Sequence, residues 1–144
     1  MKISTRGRYA LRLMLDLAVH STGEPVSLKD IARRQQISEK YLEQIISMLN
    51  KAGFVGSIRG AQGGYLLKKE PSEYTVGEIL RLTEGDLAPV DCVGKESGGC
   101  GRKQECVTIR VWEQINQAVN QVIDNITLAD MAEWQRESGC GDFV

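Results

Sequence analysis

Little in this sequence invites an enzymatic reading. It holds one histidine, His20, no glycine-rich phosphate loop and no visible pairing of a nucleophile with a base, so the usual marks of catalysis are missing. It also lacks a long hydrophobic run. Its most apolar stretch, Tyr9 to Val19, is broken by Arg12 and Asp16, and a bilayer needs about 20 apolar residues in a row. The N-terminal Met1-Lys2-Ile3-Ser4-Thr5-Arg6 has no apolar segment or small-residue cleavage site of a secretory signal, so a cytoplasmic protein is the expectation. Internal repeats and low-complexity segments are absent. Net charge is also scarce: −1 over 144 residues, which taken alone argues against a nucleic-acid partner. The length suits one core, or one compact domain with an extension.

The near-neutral average conceals a division. Residues 1–75 carry 12 basic and 7 acidic side chains, whereas residues 76–144 carry 6 and 12. A basic half joined to an acidic half is the asymmetry expected when only the first half meets a polyanion. Four cysteines are present. Without a secretory signal, such thiols more often bind metal or sense redox state than form disulfides.

The hydrophobic spacing predicts a mainly helical chain with one small hairpin. Ser4 or Thr5 can cap a helix reaching about His20, with apolar residues on so many sides that it needs two neighbours. Ser27 opens a short helix in which Leu28, Ile31 and Ala32 face inward and Arg33 and Arg34 face out. A tight turn at Gln35-Gln36-Ile37 leads to Ser38, which caps a second helix with Tyr41, Leu42, Ile45, Ile46 and Leu49 at helical spacing. Two amphipathic helices joined this closely are a helix-turn-helix candidate. Two strand-like runs then flank Gly60-Ala61-Gln62-Gly63-Gly64, which reads as a hairpin wing. Thr75 and Glu78 form a capping box opening a further helix. From Val107 a stripe of Val111, Ile115, Ala118, Val122 and Ile126 runs about five helical turns and calls for a partner surface, most simply a second copy of the chain. Thr127 caps a last short helix with Met131 and Trp134 inward. The division expected is a winged helix-turn-helix DNA-binding domain over 1–75, and a metal-binding loop with a dimerisation helix over 76–144.

In a helix-turn-helix the early residues of the second helix face the major groove. Those are Ser38, Glu39, Lys40, Tyr41, Glu43 and Gln44. Gln44 suits adenine, Lys40 guanine or phosphate, and Glu43 the amino group of cytosine; Tyr41 is also a candidate for the core. On the wing, Arg59 suits a narrow minor groove, and Gly60 at the tip lets the backbone approach the duplex. Arg6, Arg8, Arg33, Arg34 and Lys51 are phosphate candidates.

The remaining stretch, Cys92 to Cys106, gathers three thiols and four glycines into fifteen residues. Thiolate is the usual ligand of cluster iron, and glycines allow the sharp turns that convergence of Cys92, Cys100 and Cys106 requires. Lys95, Arg102 and Lys103 would offset thiolate charge and lower the thiol pKa values. The spacing matches neither the ferredoxin runs nor paired zinc knuckles, so the residues alone indicate metal or redox chemistry without choosing the metal.

Several motifs taken together are more specific. Met1 to Ala10, Ile37-Ser38 with Tyr41-Leu42-Glu43-Gln44, Arg59-Gly60 with Gly63-Gly64-Tyr65-Leu66-Leu67, and Asn125-Ile126-Thr127-Leu128 resemble the IscR family of iron–sulfur cluster regulators over nearly the whole chain. The resemblance implies a homodimeric winged-helix transcription factor, chiefly a repressor of cluster-assembly genes. It implies a 2Fe-2S cluster on Cys92, Cys100 and Cys106, and DNA contacts by Tyr41, Glu43, Gln44 and Arg59. Two positions depart from the pattern. The family's histidine, three residues after the third cysteine, is Ile109 here, and the carboxylate that some relatives donate from the first helix is replaced by Arg8. His20, Cys140, Glu105, Asp91, a partner side chain or solvent are left as the fourth donor. Two alternatives stay open: a same-fold regulator sensing nitric oxide, thiol oxidation or zinc, and a small cluster carrier or electron-transfer module.

Overall fold

The chain is organised around its first helix. α1, Thr5–Val19, starts where Ser4 takes an extended conformation and its hydroxyl oxygen accepts the Gly7 N–H at 3.2 Å. Ala10, Leu13, Met14 and Leu17 are buried in the main core, and Leu11 reaches a second, smaller cluster as well. The expectation that α1 needs two neighbours is exceeded: it packs against the three helices that follow it, the last helix and the second hairpin strand, all introduced below. The computed structural model describes residues 1–20, 22–95 and 101–139.

α2, Leu28–Gln35, is capped by Ser27, whose Oγ accepts the Asp30 N–H at 3.1 Å. It stops at Gln36, a non-glycine residue in the left-handed region with φ of 55°, and that turn swings the chain into α3, Glu39–Lys51. Ser38 caps α3 through the Tyr41 N–H at 3.1 Å. β1, Val55–Ile58, pairs antiparallel with β2, Gly64–Leu67, in the register Val55 to Leu67 and Ile58 to Gly64. The wing has an attachment that the sequence does not announce. Val26, ahead of α2, exchanges two backbone hydrogen bonds with Tyr65 at 3.0 and 2.8 Å, and a Cβ on Gly64 would collide with the Val26 backbone.

Tyr74 fastens the wing to the core. Its ring is almost fully buried, its O–H donates to the Phe54 carbonyl at 2.6 Å, and its oxygen accepts the Lys68 and Lys69 N–H groups at 3.1 Å each. Burial pushes its pKa above the ordinary tyrosine value, so it stays a neutral donor. Tyr74→Phe would leave one carbonyl and two N–H groups without this partner. A loss of roughly 1–3 kcal/mol in urea unfolding is expected, the cost of unsatisfied polar groups; an unchanged midpoint would mean water replaces the hydroxyl.

α4, Val76–Glu84, and the last helix, α6, Leu128–Glu137, both begin with complete capping boxes, Thr75 with Glu78 and Thr127 with Asp130. Their starts are tied together, because Val76 N–H donates to the Ile126 carbonyl and Leu128 N–H to the Tyr74 carbonyl. Between them lies α5, Ile109–Asp124, two residues shorter at its start than the apolar stripe suggests. Arg81 of α4 grips the Asp124 carboxylate of α5 at 2.6 and 2.9 Å and Asn120 at 2.7 Å. That guanidinium holds the Asp124 carboxyl below its ordinary pKa, with Lys95 adding to the effect. Among the described residues, no helix is long and apolar enough to cross a membrane.

One outward and one inward assignment need correction. Arg34 does not face out: its guanidinium makes two hydrogen bonds to the buried Asp16 carboxylate, at 3.1 and 2.8 Å. Trp134 is not inward, with 53% of its surface exposed; at its place on α6 the inward positions are filled by Leu128 and Ala132, with Met131 against the smaller cluster.

Candidate nucleic-acid interface and thiol loop

The helix-turn-helix offers a continuous polar face. Lys40, Glu43 and Gln44 of α3 are exposed, as is Glu39. Ser38 is exposed too, although its oxygen is engaged as the cap. Tyr41 is half-buried, and its ring meets Tyr9 of α1 edge-on with centroids 5.6 Å apart and planes at 88°. Tyr41 is thus partly core: one side of the ring locks α3 to α1, and the rest lines a cleft with Thr5, Tyr9, Gln36, Ile37 and Ser38. Arg59 and Gly60 are exposed at the wing tip. Gly60 has φ of +117° and Gly63 N–H closes the turn onto the Gly60 carbonyl at 3.0 Å. That φ lies in the region only glycine adopts without strain.

Of the basic side chains proposed for phosphate, Arg6, Arg8, Arg33 and Lys51 are exposed. Arg8 is hydrogen-bonded to Thr5 at 3.1 Å and Arg33 faces Asp30 at 3.4 Å. Arg34 is taken by Asp16. Sequence reasoning missed the group to which Arg34 belongs. Gln35 donates to Asp16 at 2.9 Å and accepts from Arg12 at 3.1 Å, Arg12 also bonds the Gln35 carbonyl, and the Arg12 guanidinium lies 5.5 Å from the Tyr9 ring centre. The residues in question are far apart in sequence and individually look like surface polar groups; only an acid in the apolar row of α1 hinted at them.

Two of the thiols, Cys92 and Cys106, are among the described residues. Cys92 is half-buried on a single 3-10 turn, Asp91–Val93, packed against α5. Cys106 leads into α5: its carbonyl accepts the Ile109 N–H, and its sulfur lies 3.1 Å from the Thr108 hydroxyl. That hydroxyl, followed by the Ile109 and Thr108 N–H groups, holds the Cys106 pKa below the ordinary thiol value. The causes are donors at the start of α5, rather than Lys95, Arg102 or Lys103. Cys100 and Cys140 lie outside the described residues. Among the described residues no group of three histidine, cysteine or acidic side chains converges as a metal site. The donor chemistry of Cys92 and Cys106 suits cluster iron, and the thiolate-favouring setting of Cys106 suits it further. Ile109 is buried and cannot donate. His20 ends α1, with Nδ1 2.9 Å from the Asp16 carbonyl oxygen and 3.4 Å from its carboxylate, as a helix-end histidine does. Asp91 and Glu105 are exposed.

A family model described as an iron-dependent transcriptional regulator, Rrf2, matches residues 3–134. The HTH-type transcriptional regulator CymR of Bacillus subtilis is 46% identical over 134 residues, covering 93% of this chain and 91% of CymR. The IscR regulator of Serratia proteamaculans is 42% identical over 135 residues, covering 94% of this chain and 81% of IscR. Among solved structures, CymR, described as the global cysteine regulator of B. subtilis, superposes with a TM-score of 0.81 at 43% identity, covering 93% of this chain and 98% of that one. IscR of T. potens does so with a TM-score of 0.79 at 45% identity, covering 98% and 93%.

Proposed function

The chain belongs to the Rrf2 family of winged-helix transcription regulators, DNA-binding proteins rather than enzymes, and from that premise we propose that it is a homodimeric repressor sensing an iron–sulfur cluster, 2Fe-2S, held by Cys92, Cys100 and Cys106. The observation that carries this reading is the attachment of both described thiols to one helix: the Cys92 turn packs on α5 and Cys106 leads into it. A change at the sulfurs would therefore act on α5, the helix whose exposed apolar stripe suits a second subunit. Half-site spacing depends on dimer geometry, so a shift of α5 would alter which operators both recognition helices can reach. Residues 1–75 would read the DNA and residues 76–144 would hold the cluster and the partner.

At the DNA, Ser38 would keep the start of α3 in place while Lys40, Tyr41, Glu43 and Gln44 meet base edges and phosphates. Arg59 and Gly60 would approach the adjoining minor groove. Bound between the subunit's thiols, a cluster would supply a reversible, iron-dependent link across the loop. The chain's own contribution is the Thr108 hydroxyl and the N–H groups of α5 that favour Cys106 thiolate.

The CymR relatives, one of them solved in an oxidized form, favour a second reading in which the loop senses thiol oxidation, and the half-buried, thiolate-favouring Cys106 is the observation on its side. Protein purified without oxygen should contain iron and acid-labile sulfide, and Cys92→Ala should lose both. It should also shift operator affinity or operator choice in gel-shift titrations at fixed salt. Identical DNA binding by the loaded protein and Cys92→Ala would remove the cluster reading. Wild-type protein without sulfide, whose DNA binding responds to peroxide, would establish the second one.

A further inference from the structure

Two carboxylates separated by a single residue mark the end of α4, and they hold different segments of the chain, Ser4 and Lys95. Glu84 Oε1 accepts the Ser4 N–H at 3.1 Å and also the Ser4 hydroxyl. Ser4 is the cap of α1, and α1 has no acidic residue in its own first turn. Glu84 therefore supplies, from another helix, the negative charge that a helix N-terminus favours. The fit is close: a Cβ on Gly7 would collide with the Glu84 carboxylate. Ser4, Glu84 and the recognition-helix residue Tyr41 line one cleft, and Tyr41 is locked to α1 by its edge-on contact with Tyr9.

Asp86 faces the other way. Its Oδ2 accepts the Lys95 N–H at 2.8 Å and its Oδ1 the Ala88 N–H at 3.0 Å. Lys95 lies three residues beyond Cys92, and a Cβ on Gly94 would fall 2.5 Å from Asp86 Oδ2. The hold is on the backbone of the thiol loop, so a rearrangement of that loop has to pull on Asp86 or release it. Only Gly85, at φ of +77°, stands between the two carboxylates.

We propose that Glu84 and Asp86 are positioning residues that couple the thiol loop to the recognition helix: Asp86 holds the loop, Glu84 holds the start of α1, and displacement of one is passed across Gly85 to the other and on to Tyr41. This rests on the reading above that the loop thiols are the sensor. Both carboxylates would act through the segments they grip, Ser4 and Lys95.

Gly7→Ala is the cleanest disruption. The added methyl displaces the far end of a flexible Glu84 side chain while improving the helix propensity of α1, so the variant should fold. Asp86→Ala releases the loop end. Full-length wild type and both variants, purified without oxygen, would be titrated with one operator duplex before and after removal of iron by chelation. The rate of iodoacetamide labelling at Cys92 and Cys106 would be read by peptide mass spectrometry in iron-free protein with and without the duplex. Coupling is reciprocal, and effector ratios are commonly about 5–150-fold. Wild type should show a holo-to-apo affinity ratio within that range and a labelling rate changed by DNA. In both variants the two ratios should fall toward one, with iron per chain and apo affinity within about twofold of wild type. Unchanged ratios in folded variants would overturn the coupling role and leave sensing intact. A wild type with both ratios equal to one would overturn the sensing reading and this proposal together.

Discussion

Asp16→Ala is expected to destabilise the protein by roughly 3–5 kcal/mol, the loss seen when one partner of a buried ion pair is removed. The Asp16 side chain is fully enclosed and the Arg34 side chain is only 13% exposed. Asp16 accepts two hydrogen bonds from Arg34 and one from Gln35, so its removal takes three hydrogen bonds at once from side chains that are themselves largely enclosed. At this chain length the loss corresponds to a melting shift on the order of 10 °C. Asp16→Asn keeps an acceptor of the same shape and should fall between the variant and wild type. A thermal melt checks both, and a double-mutant cycle with Arg34→Ala isolates the pair. If Asp16→Ala loses less than about 1 kcal/mol, Arg34 swings into water and the network is not what holds the turn. DNA binding should fail in step with the melt, because Gln35 immediately precedes the left-handed Gln36 that sets the angle between α2 and α3.

That network also marks the boundary of what the sequence makes legible. The caps at Ser27, Ser38, Thr75 and Thr127 were readable because a capping side chain acts on a backbone group three residues away. The turn at Gln36 and the wing were readable because glycines and short polar runs interrupt the apolar spacing. Arg34 reads as a solvent-facing residue because its partner lies 18 residues upstream on another helix, and nothing in local spacing brings them together. Trp134 reads as inward for the complementary reason: helical spacing locates a face of α6 and does not say whether that face meets its own chain. The Val26–Tyr65 bridge, the Glu84–Ser4 contact and the Asp86 hold on Lys95 are likewise products of topology. For the thiol loop the residue types indicate the chemistry, and the setting of Cys106 comes from Thr108 and the start of α5, where α5 begins two residues later than its apolar stripe.

Ile115→Asp is expected to convert a dimer into monomers and to reduce operator affinity by on the order of 10²–10⁴, the factor lost when two linked half-site contacts become independent ones. α5 presents Val111, Ile115 and Val122 on one side, with 49%, 36% and 57% of their surface exposed, and Val107 leads into the same stripe at 76%. The opposite side is already used: Ile109 is buried, and Asn120 and Asp124 are held by Arg81 of α4. The exposed stripe thus belongs to a helix that its own fold fixes in place. Exposed apolar surface of this continuity on a 16-residue helix, about 24 Å long, suits a second copy of the same helix. A carboxylate at position 115 would appear twice across a two-fold interface, so its effect doubles, while the isolated subunit keeps both of its core clusters, to which Ile115 does not belong. Sedimentation should give a mass near the 15.9 kDa of one chain instead of twice that. Gln117→Asp, on a neighbouring polar position, should leave the dimer intact. A dimer that survives Ile115→Asp with full operator affinity would place the subunit contact elsewhere, with the exposed Trp134 of α6 as the surface to test next. Since both described thiols attach to α5, the same monomeric variant separates two effects. If it still loads iron but no longer changes its DNA affinity on losing it, the signal travels through the subunit contact; if the change persists, it travels within one chain through α4.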